Sequence, residues 1–181
     1  MEHVISERVF DTPMTVQRYG QLGDEGKSCL DLYGVTYRGS YLGLDGSRAI
    51  CVFLAPDAEA VRNVGREVPI VPATVWTGHY FHPPETADIA PPGRQTVVVE
   101  RSFTEPATIE DLQAREDASS WCLDMHDVRF LKTYVALDRR RMICFYTAPD
   151  AEAVRKVHET TGLPYDRAWA ANTLGWPSPA A

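Results

Sequence analysis

The sequence predicts an α+β fold made of two copies of one β-α-β-β-α-β unit, fused head to tail. Residues 56–62 recur without a mismatch as residues 149–155, a shift of 93 residues. The four cysteines fall into two pairs with the same spacing of 93 residues. The shift needs no gap from near Val4 onward, and each copy gives the same order of strand and helix patterns. These observations predict a tandem duplication.

The elements of the second copy follow from residue propensity and capping signals. The β-branched run at 97–103 predicts a first strand. Thr108 stands three residues before Asp111, a spacing typical of a helix start, and this helix runs toward His126. Residues 128–136 predict the second strand.

The second half of the copy is equally regular. A hairpin turn at 138–140 leads into a third strand at 142–147. Asp150 is the predicted N-cap of a second helix that ends near Gly162, and the segment around Trp169 gives the fourth strand. The resulting order is the ferredoxin-like one.

The third strand is apolar on both faces. In the first copy one face carries Ile50, Val52 and Leu54, and the other carries Ala49, Cys51 and Phe53. Both faces should therefore be covered, one by the helices of the copy and the other by the sheet of the sister copy. We expect an internal pseudo-dimer of the dimeric α+β-barrel type, packed sheet to sheet, with a cavity between the sheets.

A proline-rich stretch without periodicity predicts a linker at 83–95. It separates a first repeat, residues 1–82, from a second repeat, residues 96–176. Fusion fills the interface that single copies would form by dimerising, so we expect a monomer with an internal pseudo-dimer, or a homodimer.

Composition excludes several classes of protein. The net charge of −7 argues against nucleic-acid binding, and 44% hydrophobic with 24% charged residues is typical of a soluble domain. The sequence contains no apolar run long enough to span a membrane, and its first residues do not form a signal peptide. It also lacks a CxxC pair, a P-loop and an HExxH motif. We expect a cytoplasmic protein without a membrane or nucleic-acid partner.

Three segments of the second copy carry a family resemblance. They are Val-Glu-Arg-x-Phe at 99–103, Val-Arg-Phe-Leu-Lys-Thr-Tyr-Val at 128–135, and Ile-Cys-Phe-Tyr-x-Ala-Pro-Asp-Ala-Glu-Ala-Val-Arg at 143–155. Together they resemble a family of small bacterial proteins with a ferredoxin-like fold that are described as nickel-binding. The resemblance extends over most of both copies, and it implies a dimeric α+β arrangement and a transition-metal site.

The resemblance also directs attention to histidines. Some family members carry a histidine on the first strand, where this chain has Glu7 and Glu100, and others carry one in the second helix. The second copy keeps His158 at that place, whereas the first copy has Gly65. We therefore predict a site for nickel or another divalent transition metal in the second copy, with ligands drawn from Glu100, His158, His126 and Tyr134.

Glu7 and Glu100 occupy matching positions on the first strand of each copy. Strand alternation directs both carboxylates toward the face between the sheets, where a carboxylate needs a partner, a raised pKa or a metal. The alternative is an ion pair with an arginine such as Arg48 or Arg141.

Two further functions stay open beside metal binding. One is an α+β-barrel enzyme of small-molecule metabolism, of the cyclase, isomerase or monooxygenase type. Its predicted catalytic residues are Glu100 or Glu7 as general acid or base and Tyr134 in the cavity between the sheets. The other is a non-catalytic binding module. In each case the partner is a metal ion or a small molecule.

Overall fold

The computed structural model describes residues 1–68, 74–83 and 90–175. Within these ranges the chain forms eight strands and five helices. They are β1 (Glu2–Val9), α1 (Val16–Glu25), α2 (Lys27–Leu32), β2 (Thr36–Gly43), β3 (Arg48–Ala55), α3 (Ala58–Glu67), β4 (Thr74–Phe81), β5 (Gln95–Ser102), α4 (Ile109–Met125), β6 (Arg129–Ala136), β7 (Arg141–Ala148), α5 (Ala151–Thr161) and β8 (Arg167–Leu174).

The chain divides into two compact units. Unit 1 comprises Met1–Gly78 together with the chain from Asn172 onward, and unit 2 comprises His79–Ala171. All four strand ranges of the first half recur 93 residues later in the second half. The predicted division into repeats at 1–82 and 96–176 concerns sequence copies, and it stays a prediction.

Each unit contains an antiparallel sheet. In unit 1, β1 pairs with β3 and β4, and β3 also pairs with β2. In unit 2, β5 pairs with β7 and β8, and β7 also pairs with β6. The predicted α+β class is confirmed, and unit 2 has the predicted order of strands and helices.

The predicted helix caps of unit 2 are confirmed as well. The Thr108 hydroxyl accepts a hydrogen bond from the Asp111 backbone N–H at 3.1 Å, at the start of α4. The Asp150 carboxylate accepts one from the Ala153 N–H at 2.8 Å, at the start of α5. Gly162 ends α5 with a φ of 68°, a left-handed conformation that glycine adopts without a steric penalty.

The first helix of unit 1 differs from the prediction. One helix was expected between the first and second strands of each copy, but unit 1 has the ten-residue α1 and the six-residue α2 there, with Gly26 between them. The corresponding α4 of unit 2 is one helix of 17 residues. Gly20, Gly23 and Gly26 weaken the helix in unit 1, since glycine costs up to about 1 kcal/mol relative to alanine inside a helix.

The helices of each unit cover one face of its sheet. In unit 1 they pack on Val4, Leu42, Cys51 and Phe53, and unit 2 has the matching cluster around Val97, Val135, Cys144 and Tyr146. Cys51 and Cys144 are thus free cysteines buried in these clusters. None of the described helices is long and apolar enough to cross a membrane.

The face of β3 away from the helices is also buried. Ile50 and Val52 lie there with at most 2% of their surface exposed, in agreement with a strand that is apolar on both faces. The expectation that a sister sheet covers this face stays a prediction.

Candidate functional site

The two glutamates predicted as site residues make the same contact in each unit. The Trp76 indole N–H donates to a Glu7 carboxylate oxygen at 2.6 Å, and the Trp169 indole N–H donates to Glu100 at 2.7 Å. The other Glu100 oxygen lies 3.7 Å from Nε of Arg167. These contacts therefore link β1 to β4 in the first half of the chain and β5 to β8 in the second half.

His158 lies inside unit 2, with 1% of its surface exposed. Its Nδ1 lies 2.8 Å from the Val154 carbonyl oxygen, and its Nε2 lies 2.8 Å from Nη2 of Arg101. Because Arg101 can only donate, Nε2 accepts, and the proton of the neutral ring sits on Nδ1. Burial first, and the Arg101 charge second, lower the pKa of His158 to about 4.

The other predicted ligands lie on separate elements. His126 is the half-buried C-cap of α4, and Tyr134 is buried on β6. The Tyr134 ring contacts Phe145 edge to face at 6.0 Å and Tyr80 at 5.1 Å, measured between centroids. Within the described ranges, no three histidine, cysteine, aspartate or glutamate side chains come together as a metal site would require.

Unit 1 contains a cavity of about 540 Å³ between its helices and its sheet. The walls are apolar side chains from α1, α2, α3 and β3, and exposed Asp24 and Lys27 stand at the rim. Its lining residues are Arg8, Tyr19, Gly20, Leu22, Gly23, Asp24, Gly26, Lys27, Leu30, Tyr37, Ser40, Cys51, Phe53, Val64, Val68, Leu174 and Gly175.

Polar groups are concentrated on the sheet side of this cavity. Tyr37 donates to the Ser40 hydroxyl at 2.8 Å, and Ser40 donates to the Cys51 sulfur at 3.1 Å. The Tyr19 hydroxyl lies 2.7 Å from the same sulfur. These four side chains form one hydrogen-bonded row along the bottom of an otherwise apolar cavity.

Arg8 from β1 also lines this cavity as a buried cation, with 8% of its surface exposed. Burial is the main reason that the pKa of Tyr19 lies well above its usual value and that of Tyr37 is raised to about 12. The Arg8 charge opposes both shifts without cancelling them. Both phenols therefore keep their protons near neutral pH and remain hydrogen-bond donors.

In unit 2 large side chains stand at the corresponding positions. Arg101, which matches Arg8 after 93 residues, bonds the Tyr146 hydroxyl at 3.2 Å as well as His158. The His158 ring packs edge to face on Tyr146 and on Tyr165, with centroids 5.7 and 5.3 Å apart. Unit 1 has Phe53 in place of Tyr146 and Gly65 in place of His158.

Sequence reasoning missed this cavity, although its signal was present. Gly65 in place of His158 indicates the loss of a metal ligand from the first copy. It also removes an imidazole from the interior of unit 1. Gly20, which lines the cavity, has the larger Gln113 as its counterpart in the second copy.

Comparison with known proteins finds a matching family model and solved structures of similar fold. A family model described as "Nickel responsive protein SCO4226-like" matches residues 98–170, which lie within unit 2. The matched range contains all four predicted metal ligands. Among curated protein sequences none matches at a significant level.

Solved structures match nearly the whole chain. Chlorite dismutase from Candidatus Nitrospira defluvii in complex with imidazole is 11% identical with a TM-score of 0.56, over 96% of this chain and 91% of that chain. A putative chlorite dismutase, TA0507, is 13% identical with a TM-score of 0.54, over 96% and 93%. A heme-binding protein from Thermus thermophilus is 12% identical with a TM-score of 0.50, over 96% and 91%. At such identities the likeness shows the fold alone.

Proposed function

We propose that the protein binds a small, mainly apolar molecule in the cavity between the helices and the sheet of unit 1. The observation that carries this proposal is the cavity itself. Its volume of about 540 Å³ lies in the range of small-molecule sites, roughly 300–1,000 Å³. Apolar walls with a few polar groups gathered at one end are also typical of such sites.

Comparison between the units supports the proposal. The strand ranges of the two halves differ by the same 93 residues, which favours the predicted tandem repeat and makes position-by-position comparison meaningful. In unit 2 the imidazole of His158 reaches the arginine that corresponds to Arg8. A histidine at position 65 should therefore reach Arg8 and fill the inner part of the cavity.

A filling experiment tests the proposal. The neutral fluorescent probe N-phenyl-1-naphthylamine is titrated into the wild type and the Gly65→His and Gly23→Leu variants. We expect one probe per chain and at least about tenfold weaker binding in both variants, about 1.4 kcal/mol or more. Gly23 suits this test because a Cβ added there meets nothing within 4 Å.

His158→Gly is the matched control, because it removes a side chain from the corresponding place in unit 2. We expect probe binding to unit 1 to be unchanged in this variant. Circular dichroism shows whether each variant is folded. Probe binding that is equal in the wild type and in both filled variants would overturn the proposal.

Nickel binding in unit 2 is the second candidate. The specific observation in its favour is the nickel-responsive family model, whose matched range includes Glu100, His126, Tyr134 and His158. In the present arrangement Nε2 of His158 accepts from Arg101, so coordination through this atom requires that hydrogen bond to break.

Calorimetric titration of chelator-stripped protein with nickel, cobalt and zinc tests this candidate. Micromolar binding that Glu100→Ala or His158→Ala weakens about tenfold, or 1.4 kcal/mol, would support it and locate the site. Binding that ignores both substitutions, or no binding, would remove it. The Glu7→Ala variant is the control, because it makes the same change in unit 1.

The heme-binding relative raises the question of haem, and the cavity of unit 1 does not suit it. Its lining contains no histidine among the described residues. The raised pKa values of Tyr19 and Tyr37 disfavour the phenolate that would bind iron, and the Cys51 sulfur is already held by Tyr19 and Ser40. We therefore assign no role to haem in this cavity.

A further inference from the structure

Ser6 and Cys51 are neighbours on the sheet of unit 1. They lie directly opposite each other on the antiparallel strands β1 and β3, so their side chains share one face of the sheet. The corresponding pair in unit 2 is Val99 and Cys144, and both of these residues belong to the cluster that the helices cover. Ser6 and Cys51 therefore lie on the helix side of their sheet, where Cys51 lines the cavity.

The Ser6 hydroxyl is a buried polar group. None of its surface is exposed, and within the described part of the chain its Oγ has no hydrogen-bond partner. Burial of a hydroxyl in this state is unfavourable, and native proteins contain few such groups. Unit 2 has the apolar Val99 at the matching position. A bound molecule with an oxygen atom beside the Cys51 sulfur would supply the partner that Ser6 lacks.

The Cys51 sulfur lies between two hydroxyl groups at the bottom of the cavity. Ser40 donates to it at 3.1 Å, and the Tyr19 hydroxyl lies 2.7 Å from it. Because burial raises the pKa of Tyr19, its phenol keeps the proton and can donate to an anionic sulfur. A thiolate at this position accepts from both hydroxyls where they stand, and the thiolate is the nucleophilic form of cysteine.

We infer that unit 1 binds an apolar α,β-unsaturated ketone covalently, through the Cys51 sulfur, with the carbonyl oxygen accepting a hydrogen bond from Ser6. This inference rests on the proposed function and names its ligand class. The apolar walls of the cavity suit the hydrocarbon part of such a molecule. A nucleophile and a hydrogen-bond donor without a partner, side by side on the sheet, suit its reactive end.

The reaction is a conjugate addition. The Cys51 sulfur forms a bond to the β-carbon, the double bond between the α- and β-carbons breaks, and its electron pair moves onto the carbonyl oxygen as an enolate. The Ser6 hydroxyl stabilises this charge by donating to the oxygen. The proton that the thiol loses is replaced by one that the α-carbon gains, so the adduct contains every atom of both reactants. The reaction needs no oxidant and has no leaving group.

The enone 3-nonen-2-one and its saturated analogue 2-nonanone test the inference. The enone is incubated at about pH 8 with the wild type, Ser6→Val and Ser6→Ala, and intact-mass measurement with peptide mapping follows the adduct. In the wild type we expect one adduct per chain, on Cys51. In both Ser6 variants its rate of formation should fall at least about tenfold, because the enolate loses its donor.

The saturated ketone separates this role from a structural one. Its displacement of N-phenyl-1-naphthylamine should differ by less than about twofold between the wild type and the Ser6 variants, because noncovalent binding to apolar walls needs no donor. Ser6→Val introduces the residue that unit 2 has at this place. Ser6→Ala is the smaller change, and it keeps the test decisive if Ser6→Val fails to fold.

Cys144 is the matched control within the same chain. It lies opposite Val99, and the Thr133 hydroxyl, 3.3 Å from its sulfur, donates to the Ile143 carbonyl. We expect its reaction with the enone to be at least about tenfold slower than that of Cys51, because a buried thiol outside a cavity is shielded from reagents.

Three results would overturn the inference and leave the proposed function standing. They are the absence of an adduct in wild type that binds the naphthylamine probe, an adduct on another cysteine in place of Cys51, and a rate that both Ser6 variants leave unchanged. If the naphthylamine probe does not bind the wild type, the proposed function fails and the inference fails with it.

Discussion

At the scale of single residues, His158 is a neutral base inside unit 2. Burial and the charge of Arg101 lower its pKa to about 4, although the hydrogen bond to the Val154 carbonyl acts in the opposite direction. In the unfolded chain an imidazole titrates near pH 6.5. The unfolded state therefore takes up the proton first as the pH falls, and the folded state loses stability between about pH 6.5 and pH 4.

The first prediction concerns this pH range. The free energy of unfolding should fall by up to roughly 3 kcal/mol more between pH 6.5 and pH 4 in the wild type than in His158→Gln, because glutamine does not titrate. Urea denaturation at a series of pH values measures the difference. Parallel pH profiles for the two proteins would contradict a lowered pKa of His158 in the folded state.

A second prediction at this scale concerns the tryptophan–glutamate pairs. Glu7→Ala and Glu100→Ala should each lower the free energy of unfolding by about 1–3 kcal/mol, because a partly buried indole N–H loses a charged acceptor. Glutamine at either position keeps a neutral acceptor and should cost less. Urea denaturation followed by tryptophan fluorescence compares the four variants, and equal costs for alanine and glutamine would contradict the explanation.

At the scale of elements, the first helical region distinguishes the two units. Local signals in unit 2 predicted α4 and α5 and their caps at Thr108 and Asp150, and the predicted turn at 138–140 falls in the loop between β6 and β7. Such features depend on a few neighbouring residues, so sequence alone suffices. The break at Gly26 was not predicted. Whether a glycine-rich segment stays helical depends on how it packs against the rest of the unit, and local sequence signals do not contain that information.

The third prediction compares two glycines of unit 1. Gly20→Ala should raise the free energy of unfolding by up to about 1 kcal/mol, since a Cβ there meets nothing within 4 Å and alanine favours the helix. Gly46→Ala should lower it by at least about 1 kcal/mol, because φ is +70° and the added Cβ would lie 2.5 Å from the Met14 carbonyl oxygen. Thermal unfolding measures both, and equal effects of the two substitutions would contradict this account.

At the scale of the whole molecule, the sequence predicted the fold better than the functional site. The α+β class and the strand order follow from patterns that are repeated in both halves. The candidate metal ligands Glu100, His158, His126 and Tyr134 do not form a cluster of metal-binding groups within the described ranges, and their joint role stays a prediction. The acid–base role of Glu7, Glu100 and Tyr134 likewise stays a prediction.

The cavity shows why site prediction was harder. It is lined by Gly20, Gly23 and Gly26, and a missing side chain has no propensity or spacing of its own. The difference between Gly65 and His158 becomes informative only in the structure, where His158 contacts Arg101, 57 residues away in the sequence of unit 2. Sequence shows the substitution, and only the packed unit shows how much space it leaves.

The three glycines of the first helical region imply an uneven distribution of stability along the chain. Backbone amides of α1 should exchange with deuterium faster than those of α4, because less free energy is needed to open a short, glycine-rich helix locally. This helix, which forms one wall of the cavity, would then open more readily than its counterpart in unit 2. Such opening gives a ligand a way in without unfolding the sheet beneath it, and a bound ligand should slow exchange in α1 while leaving α4 unchanged.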